Sequence, residues 1–274
     1  MKRFQHTPCS GFTLVELSIV LVIIGLILGG VTLGRNLVRG AEIRSVISDA
    51  QRYQAAIVMF KDRYDAMPGD MPNATQYWGR ADGGANLTQN CANPDTDVGT
   101  GTQTCNGNGD GLVASAPTWP LNNSEGFRFW QHLANAGFIE GKFTGVGHNA
   151  VAGNPTWNYV FFGENAPASK MQGGGYFVTY KTMAAGGIWT GSGIVVANAL
   201  RFCGMTANTL PFDALLDPAE ALSIDMKMDD GKPGSGNVWA FYSTPCTTTN
   251  VTTTANYASS DTRTCSLVFL LPPM

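Results

Sequence analysis

The sequence predicts an α+β fold in which a long N-terminal α-helix packs on an antiparallel β-sheet, with long loops stapled by disulfides. Three observations lead to this prediction. An apolar run near the N-terminus has the length of a membrane-spanning helix, and residues 36–67 continue it with apolar side chains at steps of three and four. Short runs of aromatic and β-branched residues, separated by Gly, Asn and Pro, follow in the second half of the chain.

The first part of the predicted helix, residues 12–35, is apolar on all sides. Between Arg3 and Arg35 the only charged side chain is Glu16. As a helix, this segment is long enough to cross a bilayer core of about 30 Å, so we expect it to span a membrane. A carboxylate near the start of such a helix is costly in lipid, which indicates that Glu16 has a partner and a function.

The order of features at the N-terminus differs from that of an ordinary secretory signal. The basic residues come first, Gly11 and the stretch Phe12-Thr-Leu-Val-Glu16 come next, and the apolar run follows them. This order resembles the class III signal of type IV prepilins and type II secretion pseudopilins. The resemblance implies that prepilin peptidase removes residues 1–11 as a leader by cutting after Gly11, and that Phe12 becomes N-methylated. It also implies that Glu16 pairs with the N-terminal amine of a neighbouring subunit, so that Phe12 and Glu16 direct assembly.

The same resemblance implies a pilin-like fold and a structural role. The protein would be held in the bacterial inner membrane by a single span, with its C-terminal domain in the periplasm, and would then enter a type IV pilus or a type II secretion pseudopilus. Its implied partners are prepilin peptidase, other pilin or pseudopilin subunits through the N-terminal helix, and the inner-membrane assembly platform. The length of 274 residues favours a minor or large subunit. The alternatives are a pilus-borne adhesin or ligand-binding module, a membrane-tethered enzyme, and a plain anchored domain in which Glu16 is incidental.

Residues 36–67 are predicted to form the amphipathic half of the same helix, which ends before Pro68 and Gly69. Residues 68–274 are then expected to form the globular domain, which the resemblance places in the periplasm or outside the cell. This domain begins with a connecting region, residues 68–123, that is rich in turn-forming residues.

Two further helices and a set of strands are predicted in this domain. One helix runs from Glu125 to about Ala136 after a cap at Ser124, and the other runs from Pro218 to about Met228. The predicted strands are 157–162, 176–183, 193–197, 237–243 and 265–271.

Composition and charge exclude some classes of function. The chain carries 17 basic and 20 acidic residues, for a formal net charge of −3, and it has no cluster of Lys and Arg. This balance argues against nucleic acid as a partner. The sequence has no HExxH, no GxSxG and no phosphate-binding loop, so we do not expect an enzyme.

Cysteine spacing predicts loops closed by disulfides. One of the six cysteines would leave with the leader, and the others would lie in a compartment that permits disulfides. Local spacing favours pairing of Cys91 with Cys105 and of Cys246 with Cys265, although spacing alone does not choose among the possible connectivities. These pairs would leave Cys203 as a buried free thiol.

One loop has the spacing of a calcium site. Asn106, Asn108 and Asp110 offer side-chain oxygens at alternate positions and a glycine follows in the sixth place, as in the first half of an EF-hand loop. The twelfth position is Pro117 rather than glutamate, so other acidic residues would have to complete the shell. The candidates are Asp70, Asp95, Asp97 and Glu125. The alternative to Ca²⁺ is a Gly-Asn turn that tolerates a left-handed backbone.

A second acidic cluster follows the last predicted helix. Asp225, Asp229 and Asp230 precede Gly231, and a helix C-terminus repels carboxylates, so a cation there would be favourable. We favour the simpler interpretation, which is a solvated Asp-Gly turn.

Overall fold

The computed structural model describes residues 11, 13–113, 125–147, 160–182, 196–205, 213–241 and 245–272. The chain divides into two units, Met1–Glu42 and Ile43–Met274. The first helix, α1 (Leu14–Tyr64), begins in the first unit and ends in the second.

The part of α1 in the second unit is amphipathic, as the sequence predicts. Its buried residues recur at steps of three and four, which places them on one side of the helix. These residues are Val46, Ala50, Tyr53, Ala56, Ile57 and Phe60. The helix ends at Tyr64 because Asp65 adopts a positive φ of 50°, and the following Pro68 cannot continue the helix.

The sheet has four antiparallel strands in the order β1-β2-β4-β3. The strands are β1 (Gly174–Thr182), β2 (Val196–Gly204), β3 (Val238–Phe241) and β4 (Ser266–Leu270). One sheet face packs on α1, where the rings of Tyr53 and Tyr176 lie 5.1 Å apart. The Gln54 side-chain amide also donates to the carbonyl of Leu270 at 3.3 Å. The predicted α+β, pilin-like arrangement of a long helix on an antiparallel sheet is therefore confirmed.

Two strand predictions need correction. The strand predicted at 193–197 continues to residue 204, because the apolar run extends through Phe202 and β2 pairs with β1 over 196–204, while residues 193–195 lie outside the described residues. The predicted strand at 157–162 lies partly outside the described residues, and its described part, 160–162, has only an isolated bridge between Phe162 and Ala166.

Three shorter helices complete the described domain: α2 (Ala74–Trp78), α3 (Glu125–Asn135) and α4 (Pro218–Met228). The sequence predicted α3 and α4, but not α2. The α4 helix begins with the expected capping box, in which Asp217 accepts from the backbone of Glu220 at 2.8 Å and Glu220 accepts from the backbone of Asp217 at 3.1 Å. The predicted cap of α3, Ser124, lies outside the described residues.

Two disulfides hold the loops of the domain. They join Cys91 to Cys105 and Cys246 to Cys265, the pairs that local spacing favours. Cys203 is buried and carries a free thiol. Burial raises the pKa of this thiol to about 12, so it stays protonated and packs as a small apolar side chain.

Candidate functional site

The N-terminus of α1 is capped by the side chains of Thr13 and Glu16. The backbone N–H of Thr13 donates to Glu16 Oε2 at 2.8 Å, and the backbone N–H of Glu16 donates to Thr13 Oγ1 at 3.2 Å. This is a capping box, and the Thr13 hydroxyl adds a second bond to Glu16 Oε2 at 2.8 Å. Thr13 is therefore a local partner for the Glu16 carboxylate, and the Thr-x-x-Glu spacing is the sequence signal for this cap. Gly11 is exposed, and Phe12 lies outside the described residues.

The helix that follows exposes its apolar side chains. Large hydrophobic residues between Leu14 and Val38 have exposed fractions from 46% at Val20 to 87% at Leu14. By length and composition, α1 could cross a membrane. These side chains therefore form an uncovered apolar surface of the size that a bilayer or other helices would cover.

The order of glycine, capped glutamate and apolar helix is decisive when it is compared with known families. Residues 7–32 match the prokaryotic N-terminal methylation motif. This motif is the type IV prepilin-type signature, so the resemblance inferred from the residues is confirmed. Gly11, Phe12 and Glu16 all lie within the methylation motif, and their individual roles stay predictions. No curated protein and no solved structure was found to match the chain.

The methylation motif covers only the N-terminus, so the predicted sites of the second unit depend on geometry alone. The loop that contains Asn106, Asn108 and Asp110 closes around the carboxylate of Asp70. Oδ1 of Asp70 accepts from the backbone N–H groups of Gly109 at 2.6 Å and Asp110 at 3.2 Å, and Oδ2 accepts from Gly111 at 2.8 Å. The loop thus points N–H groups inward at an internal anion, as an anion-binding nest does.

The predicted calcium ligands take part in hydrogen bonds within this region. Asn106 Oδ1 accepts from the backbone N–H of Thr75 at 2.8 Å, and Asn108 Oδ1 accepts from that of Asp110 at 2.9 Å. Asp110 Oδ1 accepts from the backbone N–H of Leu112 at 2.8 Å. These bonds explain how the loop is shaped by its own side chains, and calcium binding here stays a prediction.

The second acidic cluster differs from the expected solvated turn. One oxygen atom from each of Asp225, Asp229 and Asp230 lies within 4.8 Å of the others, but Asp225 is fully buried. Asp225 accepts from the Tyr257 hydroxyl at 2.8 Å and from the backbone N–H of Gly231 at 3.1 Å. Burial raises the pKa of Asp225 to about 6. The carboxylates here have hydrogen-bond donors from the turn and from Tyr257, which is a structural use for them.

A polar face on α3 was not anticipated from the sequence. Arg128, Gln131 and His132 are buried although they are polar, and they contact the loop that Cys91 and Cys105 close. Their spacing of three and four residues places them on one side of α3, which is the signal that could have identified this face. The polar face is hard to recognise from the sequence, because the same helix also carries the buried aromatic residues Phe127, Phe129 and Trp130.

Proposed function

We propose that this protein is a pilin-like structural subunit. Prepilin peptidase cuts it after Gly11 and methylates Phe12, and the processed chain enters a type IV pilus or a type II secretion pseudopilus through its N-terminal helix. The observation that carries this proposal is the match of residues 7–32 to the methylation motif. A motif of this kind indicates a subunit that is processed and assembled rather than an enzyme.

The exposed apolar surface of α1 supports both stages of this route. Each large apolar side chain that leaves water contributes about 1.5–3 kcal/mol, so this part of the helix has a strong tendency to be covered. Lipid covers this apolar surface while the subunit is in the inner membrane, before assembly. The helices of neighbouring subunits cover it in the fibre, where packing replaces lipid contacts.

The capping box gives Glu16 a partner before assembly. In the uncut chain the carboxylate already accepts two hydrogen bonds from Thr13, which reduces the penalty of placing it in lipid. Cleavage after Gly11 creates a positive amine on Phe12. We propose that the amine of a neighbouring subunit then joins Glu16, because in a medium of low dielectric a positively charged donor binds a carboxylate more strongly than the neutral N–H and O–H donors of Thr13 do.

Further details of the role are also proposals. The C-terminal domain lies in the periplasm and later on the fibre surface, and the assembly platform of the inner membrane is a partner. The length of 274 residues supports a minor or large subunit. Counting copies of this chain against the major subunit in purified fibres tests that assignment.

The role of Glu16 is tested with the isosteric change Glu16→Gln. The full chain is expressed with its prepilin peptidase and assembly system, and processing and fibre content are measured separately. We expect normal cleavage and methylation, but a decrease in fibre content of at least about tenfold, since a charge pair in a low-dielectric setting is lost. Gly11→Val serves as the variant that is not cut.

Glu140→Gln is the matched control, because Glu140 is an exposed glutamate in the second unit. It is expected to behave as the wild type in both measurements. Wild-type amounts of the Glu16→Gln chain in fibres would overturn the proposed pairing. Normal cleavage of the Gly11→Val chain would overturn the proposed cleavage position.

A further inference from the structure

The disulfide between Cys91 and Cys105 lies against a buried arginine. Arg128 is fully buried, and its Nη2 atom lies 3.1 Å from Cys105 Sγ. The same nitrogen donates to the backbone carbonyls of Pro94 at 2.9 Å and Asp97 at 2.7 Å. The guanidinium therefore contacts both the wall of the disulfide loop and one of the two sulfur atoms.

This guanidinium is a buried cation on which the negative charges of Asp97 and Asp95 act without a direct ion pair in the described part of the chain. None of the ion pairs in the described ranges involves Arg128, and its Nε atom is buried without a hydrogen-bond partner. Burial lowers the pKa of Arg128 to about 10, which still leaves it positively charged at neutral pH. A buried cation in this state is stabilised by any anion that forms beside it.

The two sulfur atoms differ in their surroundings. Arg128 contacts Cys105, which is fully buried, whereas Cys91 is 6% exposed. A carboxylate oxygen of Asp97 lies within 4.8 Å of both sulfur atoms. Its negative charge therefore disfavours a thiolate on either cysteine, and it does not distinguish one from the other. Both cysteines are buried, but Cys91 is the less buried of the two, which favours attack there, and the contact with Arg128 favours negative charge on Cys105.

We propose that the disulfide Cys91–Cys105 is a site of thiol–disulfide exchange, with Cys91 as the attacked sulfur and Arg128 as the residue that holds Cys105 as the leaving thiolate. The partner is a thiol or dithiol reductant. Its thiolate attacks Cys91 Sγ and forms a mixed disulfide, while the bond to Cys105 Sγ breaks and Cys105 takes the electron pair. A second thiol of the reductant then attacks the mixed disulfide and releases Cys91, so the partner loses two electrons and this protein gains them.

The surrounding contacts keep this exchange local. Gln131 donates to the carbonyl of Gln103 at 3.1 Å, and Asn135 donates to that of Thr102 at 2.7 Å. Together with the bonds from Arg128, these contacts hold the loop to α3 independently of the disulfide. In the reverse reaction, the Cys105 thiolate displaces a thiol from Cys91 and forms the disulfide again.

The test follows both disulfides in the same full-length molecules, purified in detergent. Reduced glutathione is added, the reaction is quenched with acid, and free thiols are blocked with N-ethylmaleimide before peptide mass spectrometry. We expect glutathione adducts on Cys91 and not on Cys105. We also expect the Cys91–Cys105 disulfide to open at least about tenfold faster than Cys246–Cys265, since a neighbouring arginine stabilises thiolates.

Variants that remove the positive charge or the negative charge beside the disulfide test whether Arg128 is the cause of its faster opening. Arg128→Gln is expected to slow opening of the Cys91–Cys105 disulfide by about tenfold or more, and Arg128→Lys, which keeps the charge, to restore part of the rate. Asp97→Asn removes the opposing charge and is expected to increase the rate. Arg263→Gln is the control, because Arg263 is an exposed arginine two positions before Cys265, and it is expected to change neither rate.

Three outcomes would overturn the proposal. They are adducts on Cys105, equal rates of opening for the two disulfides in the wild-type chain, and an Arg128→Gln chain that opens at the wild-type rate. The first two are read from the unaltered protein, so they decide the question even where a variant fails to fold. These measurements do not depend on fibre assembly.

Discussion

His132 is a neutral histidine at the centre of the α3 contact. Its Nδ1 accepts from the backbone N–H of Gly69 at 2.9 Å, so its proton lies on Nε2, which is 3.0 Å from Thr104 Oγ1 and 3.3 Å from the carbonyl of Cys105. The ring also stacks on Phe60. Burial first, and then the nearby charge of Arg128, lower the pKa of His132 to about 3. A second proton on the ring would lie on Nδ1 and point at the Gly69 N–H, where it has no hydrogen-bond acceptor.

This lowered pKa makes the stability of the domain depend on pH. In the unfolded chain the pKa of His132 is about 6.5, so between this value and about 3 the unfolded state binds more protons than the folded state. The stabilisation is therefore complete above about pH 6.5 and is lost as the pH falls. From pH 7 to pH 5 we expect the His132 contribution to fall by about 2 kcal/mol.

The measurement is urea unfolding of the full chain in detergent at both pH values, for the wild type and for His132→Gln. Glutamine keeps an acceptor for the Gly69 N–H but does not titrate. Taking the difference in unfolding free energy between the two chains cancels the contributions of other titrating groups. One of these is Asp225, whose raised pKa of about 6 makes its contribution to stability increase as the pH falls. A difference that does not change with pH would contradict this account of His132.

At the residue scale, the prepilin-type signature could be recognised from the sequence because its residues are neighbours in the chain. Gly11, Phe12 and Glu16 lie within six positions, and their pattern is readable without a fold. The contacts of His132 and Asp70 were not predictable, because the partners of His132 are 27 to 63 positions away and those of Asp70 are about 40 positions away. Only the fold brings such groups together.

Among the structural elements, the loop at 106–111 depends on Asp70 for its shape. Its backbone N–H groups converge on both carboxylate oxygens of this buried residue. Asp70→Asn keeps the size of the side chain but replaces one acceptor oxygen with an NH₂ group that faces an N–H donor. We expect a loss of about 2–3 kcal/mol in the free energy of unfolding, since a hydrogen-bonded charge is removed and a buried donor is left unsatisfied.

Asp110→Asn is the matched control in the same loop. Asp110 is exposed, and an asparagine there still accepts from Leu112, so we expect a loss below about 1 kcal/mol. Unfolding is followed by tryptophan fluorescence in EDTA and again in excess Ca²⁺, which tests the calcium prediction at the same time. Equal losses for the two variants would contradict the central role of Asp70.

Helices were easier to predict than strands in this chain. The period of apolar residues in α1 and the capping box of α4 are local signals, and both elements lie where these signals place them. The strand β1 begins at Gly174, two residues before the predicted start. The prediction left out these two residues because both are glycines, which usually indicate a turn. A side chain at Gly175 would collide with the ring of Phe162, so a glycine is required there inside the strand.

The whole molecule combines an N-terminal prepilin-type signature with an α+β domain that is held by two disulfides. The fold class was predictable because helix periodicity and strand composition agree with the architecture that the signature implies. The Arg128 contact with the first disulfide was not predictable, since it depends on how α3 meets a loop 23 positions earlier in the chain. The signature supports a pilin-like or pseudopilin-like substrate of prepilin peptidase, and it does not extend into the domain beyond residue 32.

The mass of the N-terminal peptide in a sheared surface-filament fraction tests the central claim most directly. We expect a peptide that begins with N-methylated Phe12, which would show processing and export into a fibre together. A processed chain that stays in the inner membrane would favour a pseudopilin or a priming subunit. A chain that begins at Met1 in every fraction would contradict the assignment as a pilin-like subunit.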